Sequence, residues 1–429
     1  MSILIRQANI LTQNAERKQL VGDIFIEDGK IVELSSKPIS VEADYKINGR
    51  KKLVLPGLIN THTHIPMTLL RGYGDDMVLS EWLQNRIWPV EAKLDSSSIE
   101  IGTKLGLLEM IASGTTTFLD MYFFEDTIGK ACQKAGMRAF LGFAFIDHGT
   151  PEYKSEELSS ECEKFVNRWK GKDLVDPVIT PHGVYTVSPE NLEKISETAK
   201  KHDLLIHTHC SETRDEVYDV EKKYGCRPVE QLKKHGLLTK KMILAHCGWI
   251  TKGEISDIKK AGSRVSHCPV SNMKIATGGY APIPEMLESN IPVSLGTDGA
   301  ASNNTLDMFE TMKFCALLHK QHRWDPKVLP AQTVLDFATI NGAKTLDIQN
   351  EIGSIEVGKK ADIIVLDFNK PRLTPCHDFV SHLVYAANGS DVCATIIDGK
   401  PLMIDREFLT LDKEKVLDEA EKCAKDLTS

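Results

Sequence analysis

The chain has 429 residues, 41% hydrophobic and 26% charged, an ordinary balance that excludes wholesale disorder, collagen and coiled coil. Its 52 basic and 60 acidic residues leave a formal charge of −8, and no local run is basic enough to mark a nucleic-acid surface. No window holds the roughly 18 apolar residues of a membrane span, and the first residues do not read as a secretory signal.

Residues 1–50 are β-rich. Ile24-Phe25-Ile26-Glu27 and Lys30-Ile31-Val32-Glu33-Leu34 flank Asp28-Gly29, a strong hairpin signal. From residue 56 onward, short apolar runs alternate with helical patterns. The expected strands are Leu58–His64, Thr115–Met121, Arg138–Ile146, Val175–His182, Leu204–His209, Met242–His246, Arg264–Cys268 and Pro292–Asp298. Helical spacing lies between them, as in Ile101–Ala112, Leu192–Lys201 and Ile255–Ala261. Eight such units over roughly 250 residues is the arithmetic of a (β/α)8 TIM barrel. An open doubly wound sheet fits the alternation too, but no G-x-G-x-x-G follows the early strands. The far end returns to strands at Ala361–Leu366, Ala394–Ile397 and Pro401–Ile404, with Asp398-Gly399 between the last two. Neither end has enough strands to stand alone. The division expected is a composite β-sandwich from 1–55 plus 350–410, a barrel over 56–349, and a terminal helix over 411–429. The segment Gly353–Lys360 nearly fits a phosphate loop, but it ends in Lys and lacks a following helix, so a turn is expected. The ten scattered cysteines read as buried thiols of a reducing compartment, which makes a cytoplasmic protein the expectation.

In a barrel the active site lies at the C-terminal ends of the strands. Six of the 14 histidines fall there: His62, His64, His182, His209, His246 and His267. Strand eight ends in Asp298, and Glu212 stands just beyond strand five. Residues two apart on a strand share a face, so His62 and His64 can converge on one ion. A further nitrogen ligand and one carboxylate, drawn from His209, His246 and Asp298, would leave an open position. That set suits one Zn²⁺, with Fe²⁺ as the alternative.

Pro56-Gly57-Leu58-Ile59-Asn60-Thr61-His62-Thr63-His64 resembles the strand-one signature of the amidohydrolase superfamily. The resemblance extends to His209-Cys210-Ser211-Glu212, Ala245-His246-Cys247, His267-Cys268-Pro269-Val270-Ser271-Asn272 and Gly296-Thr297-Asp298-Gly299. Thr68-Leu69-Leu70-Arg71-Gly72, Trp88-Pro89-Val90-Glu91 and Ser302-Asn303-Asn304 are similar to stretches of the 5-methylthioadenosine/S-adenosylhomocysteine deaminases and the related 5′-deoxyadenosine deaminases. The resemblance implies that His62, His64, His209 and Asp298 hold the metal, that His182 contacts substrate, and that Glu91 takes the ribose hydroxyls. Strand four has no lysine for a second metal. The resemblance implies hydrolysis of adenosine derivatives to inosine analogues and ammonia, in salvage of S-adenosylmethionine by-products; a homo-oligomer is the assembly expected, although the sequence carries no signal for oligomeric state. Relatives acting on guanine, cytosine or s-triazines share the metal shell but need no ribose-binding acid.

The chemistry assigns further roles. Hydrolysis at purine C6 needs an ionised water near neutral pH, which a divalent metal provides. Ring nitrogen N1 needs a proton, and Glu212 can give it. Asp298 accepts the proton of the water, and His246 holds the water and the growing C6 oxygen. His207 shares the face of His209. Members that take S-adenosylhomocysteine carry arginines after strand three. Here Phe143 stands where one is expected, and it is expected to line an apolar 5′ pocket with Lys154 nearby.

Overall fold

A computed structural model describes residues 1–429. Five strands open the chain: β1 (Ser2–Leu11), β2 (Gln19–Glu27), β3 (Lys30–Ser35), β4 (Tyr45–Asn48) and β5 (Lys52–Pro56). Eight parallel strands follow: β6 (Leu58–Thr63), β7 (Thr115–Tyr122), β8 (Arg138–Phe145), β9 (Val175–Pro181), β10 (Ile206–Cys210), β11 (Met242–His246), β12 (Arg264–His267) and β13 (Val293–Leu295). The chain closes with β14 (Ile363–Asp367), β15 (Val392–Ile397), β16 (Lys400–Ile404), β17 (Glu407–Phe408) and a helix over Lys413–Thr428.

Strands β6 to β13 pair in sequence order as a nearly closed TIM barrel, as the strand count predicts. The seam between β13 and β6 is bridged by Asp298 N donating to His62 O at 2.9 Å and Thr297 N donating to Asn60 Oδ1 at 3.1 Å. Strand β13 is shorter than expected. At Gly296 a Cβ would come within 2.6 Å of the His62 Cβ, so the backbone needs glycine to approach β6. Asp298 beyond it takes a φ of 65°.

Inward residues of β6, β7, β8, β9 and β11 (Ile59, Leu119, Phe140, Val178 and Ile243), with Leu205 just before β10, pack with Ala343, Leu346 and Ile352. This apolar plug seals the N-terminal end of the barrel. Above it Thr61 Oγ1 lies 2.7 Å from Ser266 Oγ and 2.8 Å from Ser294 Oγ, and the histidines stand above that layer. Helices cover the outside, exemplified by Ser96–Ser113, whose N-terminus is closed by a reciprocal Asp95–Ser98 capping box.

The remaining strands form one sheet in the order β17-β16-β15-β14-β5-β1-β2-β3, with β4 beside β1. The sheet folds over a shared core in which Ile3, Ile5, Ile24 and Ile26 meet Ile363, Val365 and Ile396. Asp28-Gly29 and Asp398-Gly399 both have positive φ at both positions, the twist that two-residue hairpins favour. The two tips touch: a Cβ on Gly399 would sit 2.6 Å from Gly29 Cα. Between them Ala361 N donates to Gly29 O at 2.8 Å, and Gly399 N donates to Ala361 O at 3.1 Å. The sandwich expected from the two ends is thus built from a single sheet folded over itself.

A buried fork joins sheet to barrel. Arg138 at the start of β8 donates from Nε to Asp362 Oδ2 at 2.8 Å and from Nη2 to Oδ1 at 2.9 Å. The terminal helix buries Val416, Ala420 and Leu427. The Gly353–Lys360 stretch is a turn leading to strand β14. Seven of the ten cysteines are buried, as expected, but Cys226 and Cys423 are half-buried and Cys376 is exposed. No helix is long and apolar enough to cross a membrane.

Candidate metal centre and substrate cavity

The C-terminal strand ends gather the predicted residues around one point. Single ligand atoms from His62, His209 and His246 lie within 4.8 Å of one another. The same holds for His62, His64 and Asp298, and for Glu212, His246 and Asp298. His64 Nε2 is 3.2 Å and His62 Nε2 is 3.6 Å from Asp298 Oδ1. The strand ends leave regular geometry to achieve this. His246, Cys247, Ser211 and Asp298 all have φ between 50° and 67°, a left-handed conformation costing roughly 1–2 kcal/mol per residue, and such strain collects at functional sites.

Each ring is held from behind. His64 Nδ1 donates to Met121 O, His209 Nδ1 to His182 O at 2.8 Å, and His246 Nδ1 to Asn272 Oδ1 at 2.8 Å. Those acceptors commit Nδ1 as the donor and leave Nε2 as the nitrogen available to a ligand, the arrangement typical of metal-binding histidines. His62 Nε2 is buried and has no hydrogen-bond partner. Asp298 is clamped too, accepting from Gly299 N at 2.7 Å and Ser271 Oγ at 2.5 Å.

Burial holds His62 and His182 down at about 4 and His209 well below its ordinary value. Burial opposes a charged ring at His64 as well, but the Asp298 carboxylate outweighs it and pushes His64 up to about 9. Burial disfavours the Asp298 charge, and the His62 and His64 rings beside it overcome this and hold the carboxyl well below its usual range. Neutral rings at His62 and His209, and a His64 ring that holds its extra proton against the ionised Asp298 carboxylate where a cation would replace it, make a donor set for a borderline divalent cation, so the residues fit such a metal.

A cavity of about 470 Å³ opens onto the cluster. His64, His182, His209, Glu212, His246 and Asp298 line it, and so does Glu91. Glu91 ends a short helical segment (Trp88–Glu91) and accepts from Tyr122 OH at 2.8 Å. Burial raises its carboxyl above the ordinary value, partly offset by the Tyr122 hydrogen bond. Burial likewise raises Glu212, whose backbone N donates to Glu216 Oε2 at 2.7 Å. His182 Nδ1 lies 3.0 Å from Thr186 Oγ1, whose proton goes to Gly183 O. The ring therefore donates from Nδ1 and keeps Nε2 as an acceptor.

Two expectations need correction. Phe143 does not line this cavity; it packs outward against Phe145, Tyr153 and Phe165, because the alternation of β8 turns Ala144 and Ile146 to the cavity instead. Lys154 is exposed and contributes nothing to the wall. His267, outside the cluster, lies with its Nε2 3.1 Å from His319 Nε2, and His319 is fully buried. Sequence reasoning missed the supporting residues Tyr122, Ser271, Asn272 and Glu216. Ser271 and Asn272 stood within a quoted motif, while Tyr122 and Glu216 carried no local signal.

The chain is similar over its full length to proteins named as deaminases. A 5′-deoxyadenosine deaminase of Methanosarcina mazei is 45% identical, covering 100% of this chain and 98% of the relative. A 5-methylthioadenosine/S-adenosylhomocysteine deaminase of Thermococcus onnurineus is 45% identical over 95% of each. A crystal structure of an adenosine deaminase from Xanthomonas campestris with bound zinc superposes with a TM-score of 0.96 at 34% identity, covering 99% of this chain and 98% of that one. The amidohydrolase family model matches residues 53–402, the span that holds the whole barrel and its histidine–aspartate cluster, and the protein belongs to the amidohydrolase family.

Proposed function

We propose that the protein is a metal-dependent aminohydrolase that converts adenosine derivatives to inosine analogues and ammonia. The observation that carries this reading is one cavity holding both the histidine–aspartate cluster and Glu91. A carboxylate beside a hydrolytic centre is the group that recognises a vicinal diol through charge-assisted hydrogen bonds. The names of the relatives point the same way.

In this reading His62, His64, His209 and Asp298 hold one divalent cation, Zn²⁺ in preference to Fe²⁺. When bound, the cation would supply Lewis acidity that lowers the pKa of water toward neutrality. Glu91 orients the ribose, and His182 accepts a substrate proton donor through Nε2. Glu212, with its raised affinity for protons, delivers one to N1 and makes the ring electron-accepting at C6. Asp298 takes a proton from the attacking water. His246 steadies the oxygen as it bonds to C6. Return of the proton from Asp298 to the amino group lets it leave as ammonia, and the C6 hydroxyl proton passes to the ionised Glu212 as the carbonyl forms, so both carboxyl groups recover their starting states, one water is consumed and one ammonia released.

The test is ammonia release from a metal-replete preparation offered adenosine, 5′-deoxyadenosine, methylthioadenosine, S-adenosylhomocysteine, guanine, cytosine and an s-triazine, with metal content measured in parallel. The expected result is turnover of nucleosides, one metal per chain, and loss of activity on chelation. Turnover confined to the free bases or triazines, or full activity without metal, overturns the reading.

A further inference from the structure

We propose that His207 is a positioning residue that sets the tautomer of His62 and thereby the retention of the metal. The proposal rests on the reading of His62 as a ligand. His207 lies two residues before His209 on β10, fully buried inside the barrel. Its Nδ1 lies 3.2 Å from Ile243 O, its partner residue on β11. Its Nε2 lies 2.7 Å from His62 Nδ1, with the two rings edge to face.

The directions of these bonds follow from one atom. A carbonyl oxygen only accepts, so His207 Nδ1 carries the hydrogen. In a neutral ring Nε2 is then a lone pair, and it must accept from His62 Nδ1–H. His62 is left with a lone pair on Nε2, the buried nitrogen without a hydrogen-bond partner. The nearest carboxylate oxygen, Asp298 Oδ1 at 3.6 Å, offers no proton when ionised. A lone pair and a carboxylate oxygen that both face one point are satisfied together by a cation.

The other three rings around the point lean on oxygen acceptors, Met121 O, His182 O and Asn272 Oδ1. Those atoms admit one direction of donation. An imidazole behind His62 admits either direction, and the Ile243 carbonyl selects the productive one. A purely filling role predicts a different chemistry at this site. The plug below it is apolar, and a buried imidazole costs free energy unless both nitrogens are paired.

The experiment compares wild type with His207→Leu, which keeps volume and removes the acceptor, and His207→Gln, which returns an acceptor oxygen near the position of Nε2. Zinc affinity is measured by chelator competition, alongside the thermal midpoint of the metal-free protein and ¹⁵N NMR of the histidine rings. In metal-free wild type, His62 is expected to show a protonated Nδ1 and an unprotonated Nε2. His207→Leu is expected to lose roughly 10- to 100-fold in zinc affinity, the usual effect of removing a partner behind a ligand. His207→Gln is expected to recover most of it. Zinc affinity of His207→Leu within threefold of wild type, or equal losses in both variants, overturns the proposal. If His207→Leu does not fold, an Nε2–H tautomer at His62 in the wild-type spectrum overturns it alone. Wild type that binds no zinc refutes the ligand reading instead, while the spectrum still decides what His207 does to His62.

Discussion

Tyr122 donates its phenolic hydrogen to Glu91 Oε1 across 2.8 Å, tying the end of β7 to the short helical segment that walls the cavity. The bond occupies one carboxylate oxygen and fixes the plane of the other. On the proposed reading, a group held this way would present a preset acceptor to a diol, with little further side-chain ordering when substrate arrives.

Glu91→Ala is therefore expected to lower kcat/KM for every nucleoside by one to two orders of magnitude, since hydrogen bonds to a charged group contribute about 1.5–3 kcal/mol. Tyr122→Phe should lose less, about threefold to tenfold. Steady-state kinetics on adenosine and 5′-deoxyadenosine checks both. Unchanged nucleoside turnover in Glu91→Ala would remove the ribose assignment.

Glu212→Gln should bind metal normally and lose most of its turnover. Glutamine preserves the shape but cannot give up a proton to N1. General acid–base steps contribute about 10²- to 10⁴-fold, and the loss should fall in or above that range. Because Glu216 anchors the backbone at Ser211 and Glu212, the substituted side chain should keep its place. Metal content with single-turnover rates separates the two effects, and a rate within threefold of wild type would dismiss Glu212 as the donor.

The cavity wall contains no lysine and no arginine. A small apolar 5′ group gains about 0.8 kcal/mol for each buried CH₂, whereas a zwitterionic tail loses hydration without gaining a guanidinium partner. The expected order of kcat/KM places 5′-deoxyadenosine, methylthioadenosine and adenosine above S-adenosylhomocysteine. Ile146→Arg should narrow that gap. A wild-type ranking led by S-adenosylhomocysteine would contradict the argument.

Glu152 predicts a pH dependence of stability. Burial pushes its carboxyl from 4.5 up to about 7, partly offset by the bond it accepts from Phe124 N. The folded chain then binds this proton more tightly than the unfolded chain, so this contribution to stability is present at low pH and falls as pH rises from about 4.5 to 7. Glu152→Gln lacks the titration. Denaturant midpoints at pH 5 and 7.5 should show the variant gaining on wild type at the higher pH. A gap that stays constant would show that the carboxyl titrates normally.

The sequence by itself determined what depends on neighbours along the chain. Asp28-Gly29 and Asp398-Gly399 specify hairpins because a two-residue turn with positive φ at both positions admits few residue types. The spacing of His62 and His64 puts two imidazoles on one face because side chains alternate on a strand. The eight strand ends, each followed by a helical pattern, give a barrel and the location of its site. What alternation cannot state is which face looks inward and how deep a residue sits. Phe143 and Ala144 are neighbours, and only barrel closure decided that Ala144 meets the cavity and Phe143 the helices. His207 and His209 share a face, yet depth made His207 the partner of His62 Nδ1 and brought His209 beside the cavity. Tyr122 reaches Glu91 across 31 residues of sequence, because the packing of a short helical segment over the barrel mouth sets that distance, and no local pattern encodes it.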